Sequence, residues 1–302
     1  MKHCTTVASL AAVSMALLTA GPAGAQPAGI SFKSTELAPG LYMLEGDGGF
    51  IGGNLGLLTG EDGTVLIDDG IEPLAEEMLA AVNDIAGVPV DFVVNTHVHG
   101  DHIGGNAAVH ASGATIIGHD NIWQRLLDGS ATADGGPAGK DAMPEITFSD
   151  AVTFHLNGHE AFVFHLEHAH TDGDAVIHFR EADVIHTGDI FFNGLFPFID
   201  LGSGGSVDGY IAAQQEILAQ AGADTRIIPG HGPLAGKADL EAAHAMLVDA
   251  RGRVMQLIDE GKSEDAVIAA NPLGRYDADW SWEFIDTERM TRTLYRGLTG
   301  SR

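Results

Sequence analysis

Cysteine is almost missing from this chain: its 302 residues include one, Cys4. That residue falls inside what reads as a secretory leader. Met1-Lys2-His3 is a short basic start, Thr5 to Ala20 is apolar, and Ala23-Gly24-Ala25 is a small-residue cleavage site. Cleavage there makes residues 1–25 a signal peptide and leaves 26–302 without a thiol. The exported chain then forms no disulfide, offers no thiolate to a metal and has no cysteine nucleophile, even in an oxidising compartment. Any metal site must be built from nitrogen and oxygen. Positive charge is also scarce, with 15 Lys and Arg against 42 Asp and Glu and a net charge of −27. Such a chain repels phosphate backbones and anionic lipid surfaces, which argues against a nucleic-acid partner and for a small-molecule substrate. Beyond the leader no apolar run is long enough to span a bilayer, so no membrane anchor is expected and the protein is assigned to the periplasm or the secreted fraction.

With 45% apolar residues the chain can bury a substantial core. Short apolar or β-branched runs bounded by Gly or Asp predict strands at 41–44, 54–58, 64–67 and 92–95, and again at 151–156, 161–166, 175–179, 184–186 and 226–228. Helical spacing of Leu74, Met78, Leu79, Val82 and Ile85 predicts a helix over 73–85. Further helices are expected just after residue 102 and over 121–127, 207–221, 240–260 and 286–298. The glycines and proline of 129–145 read as a mobile surface loop. Strands interleaved with helices in two similar halves predict two packed sheets with helices outside, in one domain over 26–302 ending in a helical tail.

The densest chemistry lies in Thr96-His97-Val98-His99-Gly100-Asp101-His102. Neutral imidazole and carboxylate are ligands for zinc and related metals. On an extended segment leaving a strand, His97 and His99 share a face. Asp101 and His102 lie just past a glycine that can turn them toward a second position. The spacing therefore points to two adjacent metal positions. Three later segments add ligand types beside glycines at strand ends: Glu167-His168-Ala169-His170-Thr171-Asp172-Gly173-Asp174, His186-Thr187-Gly188-Asp189 and Pro229-Gly230-His231-Gly232.

HVHGDH followed in order by AHTDGD, HTGD and PGHG resembles the metallo-β-lactamase superfamily of binuclear metallohydrolases, from about Leu41 to about Ala235. The resemblance implies a four-layer αβ/βα sandwich of the α/β class. It implies two Zn2+, one held by His97, His99 and His170 and the other by Asp101, His102 and His231, with Asp189 bridging them. Asp101 also becomes the catalytic residue that orients the nucleophile or shuttles its proton. Asp68 matches a supporting carboxylate that acts on the ligands from behind. The pattern uses one histidine of the 168/170 pair, so His168 is a neighbour. His110, His119, His155, His159, His165, His178, His186 and His244 are read as structural or exposed.

The implied reaction is hydrolysis of a carbonyl substrate by a metal-bridging hydroxide, with a β-lactam or another cyclic amide or ester placed first. An aspartate at position 189 also resembles the glyoxalase II and lactonase branch. Two other readings stay open: a mononuclear-iron persulfide dioxygenase, and a periplasmic accessory metalloprotein of a quinoprotein system. The glycine-rich segment 46–54, with Phe50, and the phenylalanines of 191–198 are the segments expected to shape the pocket. If one or two of those rings face the metals, the pocket favours an apolar substrate of low charge. Trp280, Trp282 and Phe284 of the tail are expected to pack on the sandwich.

Overall fold

The computed structural model describes residues 29–133 and 135–300. The leader reading of residues 1–25 lies outside them. The first half runs β1 (Ser31–Ala38), β2 (Leu41–Asp47), β3 (Leu55–Leu58), β4 (Val65–Ile67), α1 (Ala75–Ala86), β5 (Phe92–Val94), α2 (Asn106–Ala111), β6 (Thr115–His119), α3 (Asp120–Asp128) and β7 (Ile146–Phe148). The second runs β8 (Ala151–Leu156), β9 (His159–His165), β10 (Ala175–Phe179), β11 (Val184–His186), α4 (Val207–Gln220), β12 (Arg226–Ile228), β13 (Ala235–Gly236), α5 (Lys237–Asp259), α6 (Glu264–Ala269), α7 (Asp277–Trp280) and α8 (Thr287–Thr299).

Strands β1 to β7 form one sheet in chain order, and a second sheet runs β13-β12-β11-β10-β9-β8. β1 to β4 pair antiparallel, as hairpins allow. β4, β5, β6 and β7 pair in parallel, and so do β11 and β12. Each parallel step needs a crossover, which α1, α2, α3 and α4 supply.

One core fills the space between the sheets, where Met43, Ile67 and Val94 meet Val163, Ile177 and Phe179. The other face of the first sheet packs Leu57, Leu66 and Val93 on Met78 and Val82 of α1. The other face of the second packs Val176, Ile185 and Ile227 on Ala213 and Ile217 of α4 and Leu240 of α5. The layers are therefore helix, sheet, sheet, helix, the expected αβ/βα sandwich. Its central strands carry apolar residues on both faces, as strands covered on both sides must.

The expected helices are found within a few residues of their predicted positions, whereas the short α6 and α7 were not expected. α8 starts where the Asp286 carboxylate accepts the Arg289 N–H, and α4 where Ser206 caps Gly209. β1, β6, β7 and β13 were not expected. β1 is largely exposed and β13 spans two residues, so neither has a strong apolar pattern. The segment read as a mobile loop folds back in part: a 3-10 turn covers Lys140–Ala142, and Ala131, Ala138 and Met143 pack near Ile122 and Leu126. Short apolar residues between glycines were the only trace of that packing. No helix among the described residues is long and apolar enough to cross a membrane.

Candidate metal centre

The site gathers at the carboxyl ends of the parallel strands, the edge where open α/β sheets place ligands. Asp68 follows β4, Thr96 to His102 follow β5, Asp189 follows β11 and His231 follows β12. His170 comes from the turn between β9 and β10. All seven ligand candidates read from the sequence meet here. His97, His99, His170 and Asp189 form one group whose ligand atoms lie within 4.8 Å of one another, and Asp101, His102 and His231 form a second.

Asp189 faces both groups. Its Oδ2 lies 3.4 Å from His170 Nε2 and 3.6 Å from His97 Nε2. Its Oδ1 lies 3.1 Å from His102 Nε2 and 3.4 Å from His231 Nε2. Asp101 Oδ2 stands 3.3 Å from His231 Nε2 and 3.7 Å from His102 Nε2.

Outer partners decide which nitrogen each ring turns inward. Asp68 accepts Thr96 N–H at 2.7 Å and the Thr96 hydroxyl at 2.7 Å, and the same carboxylate takes His102 Nδ1–H at 2.7 Å. The Thr96 hydroxyl, its own proton given to Asp68, accepts from His97 Nδ1 at 3.0 Å. His170 Nδ1 donates to the Phe198 carbonyl at 2.7 Å, and His99 Nε2 to Asp200 Oδ2 at 2.9 Å. These bonds turn His97 Nε2, His102 Nε2, His170 Nε2 and His99 Nδ1 toward the centre. His170 Nε2 and His99 Nδ1 then face each other 2.8 Å apart. His97 Nε2, His102 Nε2 and Asp189 Oδ1 are buried without a hydrogen-bond partner. Ring nitrogens and carboxylate oxygens that converge in this way are what a divalent cation satisfies, so the residues fit one.

The charges agree. Burial holds the His97 imidazole well below its usual pKa, and burial likewise takes His170 to about 4, so both rings are neutral. Burial would lower His102 and His231 too, but the carboxylates of Asp189 and Asp101 outweigh it. His102 rises well above the usual range and His231 to about 9. Burial would raise Asp101, yet His102 and His231 hold it down at about 2. Protons on His102 and His231 thus occupy the place of positive charge between two carboxylates.

Asp200 and Tyr210 are parts of the site that sequence reasoning missed. Asp200 Oδ1 accepts Gly202 N–H and Ser203 N–H, an ordinary turn signature, while its Oδ2 orients His99. Tyr210, fully buried on α4, donates its hydroxyl to the Asp189 carbonyl at 2.8 Å. Neither has a local cue, since each contact joins segments distant in sequence. His168 lies outside the cluster, its Nδ1 on the Gly204 carbonyl at 2.9 Å. His186 is structural: its Nε2 donates to the Asn54 carbonyl and its Nδ1 accepts Gly188 N–H.

Two glycines keep the centre open. A Cβ on Gly53 would overlap the His102 ring, and one on Gly230 would overlap Asp189 Oδ1.

Aromatic side chains wall the mouth. Of the 191–198 phenylalanines, Phe191 and Phe196 are core, as most were expected to be. Phe192 stacks on His231 at 4.9 Å, and Phe198 lies 5.6 Å from His99. Phe50 is 58% exposed, with its ring 6.1 Å from His231, and it lines a cleft with Glu45, Ile51 and His231. The tail packs on the sandwich as expected and also reaches this mouth. Trp282 donates Nε1–H to the Phe196 carbonyl at 2.9 Å and sits 6.2 Å from Phe192.

The αβ/βα sandwich and its histidine–aspartate cluster define a metal-binding class of protein. The chain belongs to the metallo-beta-lactamase superfamily, whose family model matches residues 48–231. Among curated relatives, a hydroxyacylglutathione hydrolase of Polaromonas sp. is 31% identical over 59% of this chain and 65% of its own length, so the chain spans just under two thirds of it. An acyl-coenzyme A thioesterase of Gallus gallus is 27% identical over 59% of this chain and 72% of that protein. In fold, the chain is similar to a metallo-beta-lactamase from Pontibacter korlensis, with a TM-score of 0.61 at 20% identity over 72% of this chain and all of that one. A sec-alkylsulfatase from Pseudomonas sp. has a TM-score of 0.63 at 18% identity, covering 88% of this chain and 50% of that one.

Proposed function

We propose that the protein is an exported two-zinc hydrolase that cleaves the acyl bond of a small thioester or ester. One observation carries the reading: the buried Asp189 carboxylate turns one oxygen to each ligand group. His97, His99 and His170 would hold one ion, Asp101, His102 and His231 the other, and Asp189 would be shared. When bound, such ions polarise a carbonyl and bring the pKa of water toward neutrality.

The protein's own residues supply the rest. Asp101, 27% exposed at the mouth and ionised, orients the attacking water or shuttles its proton. Asp68, Asp200 and the Phe198 carbonyl fix the rings so that no reorientation is needed during turnover. Phe192, Phe198 and Trp282 exclude water on one side and present an apolar wall to the acyl or leaving group. No serine or cysteine nucleophile is required.

The expected export placed a β-lactam or another cyclic amide or ester first. The thioester hydrolases among the relatives, together with aspartate at position 189, move acyl thioesters and esters ahead of it. The test is metal analysis of the mature protein with turnover of acyl thioesters, aryl esters, lactones and a β-lactam. About two zinc per chain, with thioester or ester turnover lost in His97→Ala and Asp189→Ala, supports the reading. One iron per chain with oxygen consumption overturns it, as does full zinc loading without turnover on the whole panel. N-terminal sequencing of the secreted form, expected to begin near Gln26, tests export.

A further inference from the structure

Arg289 is one of two arginines among the described residues that pair with no carboxylate, the other being Arg226. Every other arginine among the described residues is engaged. Arg125, Arg180, Arg251, Arg253, Arg275, Arg292 and Arg296 pair with carboxylates, and Arg226 donates to the Leu37 and Ala182 carbonyls. Arg289 has no carboxylate within 4.0 Å among the described residues, although the chain has 42 acids to 15 Lys and Arg. With so many acids available, a guanidinium held by one carbonyl and two rings beside the candidate site calls for a reason.

Its geometry supplies one. The guanidinium carbon lies 3.9 Å from the centre of the Phe284 ring and 5.6 Å from that of Phe198. Nη1 donates to the Phe284 carbonyl at 2.8 Å, which fixes the plane and leaves the other donors free. Phe198 in turn packs 5.6 Å from His99 and 5.7 Å from His170. One aromatic ring therefore touches both the guanidinium and two ligand histidines. Arg289 also lies in the first turn of the 13-residue α8, where the helix end adds positive potential.

We propose that Arg289 anchors a carboxylate carried by the substrate, so that the hydrolase of the preceding section acts on acyl compounds with an acid group beside an apolar stretch. A stacked guanidinium with free donors in a fixed plane matches a carboxylate, which accepts two parallel N–H bonds. Phe198 and Phe284 receive the apolar stretch between that carboxylate and the scissile bond. Arg289 is a specificity residue and takes no part in bond cleavage. The inference rests on the acyl-hydrolase reading for its substrate class, and its test separates the two.

Trp282, whose ring lies 5.5 Å from Phe284, reports binding by fluorescence. Phenylacetate and phenylacetamide are titrated into the zinc-loaded protein and into Arg289→Gln and Arg289→Lys. In the wild type the carboxylate should bind about tenfold more tightly than the amide, a preference lost in Arg289→Gln and partly kept in Arg289→Lys. Phenylacetamide should bind all three alike. Equal affinities in the wild type, or a preference that survives Arg289→Gln because the metals alone supply it, overturn the proposal. In parallel, mono-4-nitrophenyl adipate and 4-nitrophenyl hexanoate are compared by kcat/KM, and only the adipate ester should suffer in Arg289→Gln. Absence of ester turnover counts against the acyl-hydrolase reading, while the titration still decides the role of Arg289.

Discussion

Asp68 and His102 are joined at 2.7 Å between two fully buried side chains, and the bond leaves His102 Nε2 with nothing to do but face Asp189. The same carboxylate takes both the N–H and the hydroxyl of Thr96, and Thr96 accepts from His97. One acid thus orients a ring in each ligand group. Asp68 achieves this with φ at +57°, a left-handed conformation that aspartate tolerates better than most residues. Asp68→Asn keeps the shape but loses the charge, and its amide can present an N–H to His102 where an acceptor is needed. Zinc affinity should fall about 10- to 100-fold, most at the Asp101/His102/His231 group. Competition with a chromophoric chelator measures this, and unchanged affinity in a folded variant would refute the role.

Gly230 lies against Asp189 so closely that a methyl group cannot be added without moving the carboxylate or the Gly188 backbone. Gly230→Ala should lower kcat/KM about 100-fold by displacing the shared oxygen, with reduced zinc content. Gly100→Ala is the control. It lies inside the histidine motif, yet a Cβ there meets nothing within 4 Å and its φ is not left-handed. If both variants behave alike, crowding at Asp189 is not the cause.

Much of this centre was legible because its ligands sit in short glycine-flanked runs just past β-branched strands, so chemistry and topology share one signal. Thr96 to His102 and His186 to Asp189 carry that signal in full. The supporting acids divide. Asp68 was legible only through the family resemblance, whereas Asp200 was hidden because the turn it makes with Gly202 and Ser203 explains its presence without His99. Tyr210 and Arg289 were hidden for a different reason: each lies on a helix whose sequence shows only an amphipathic stripe. Their partners come from segments brought close by the packing of α4 against the second sheet and of α8 against α4 and α5. Among strands, buried β4 and β5 announced themselves, while exposed β1 and two-residue β13 had no apolar pattern to give.

Metal binding should release protons. In the metal-free protein His102 is raised well above the ordinary range and His231 to about 9 by the carboxylates of Asp189 and Asp101, after burial has opposed both. For a histidine raised this way, the stabilisation is complete below the unfolded value of about 6.5 and is lost as pH climbs through the folded one. A bound ion replaces those protons. At pH 8, zinc should therefore displace about two protons per chain, and affinity should increase with pH until His231 is deprotonated near 9. Calorimetric titration in buffers of different ionisation enthalpy counts the protons. A count of zero would mean that His102 and His231 are already neutral and that the carboxylates do not control them.

Phe50 and Phe192 both stack on His231, yet they should do different things. Phe50 is 58% exposed on a glycine-rich segment, its ring 6.1 Å from the imidazole and tilted by 10°. Little of it is buried, so Phe50→Ala should change the melting temperature by no more than about 2 °C. What it removes is apolar surface offered to a substrate above His231, so KM should rise several-fold with kcat nearly unchanged. Phe192 is 3% exposed and 4.9 Å from the same ring. Phe192→Ala opens a cavity at a cost of about 3 kcal/mol and frees His231 to turn, so kcat should fall together with stability. Thermal melts and Michaelis constants on the two variants separate these roles. A loss of kcat in Phe50→Ala at full stability would place that ring in the positioning of His231 instead of in the wall that receives the substrate.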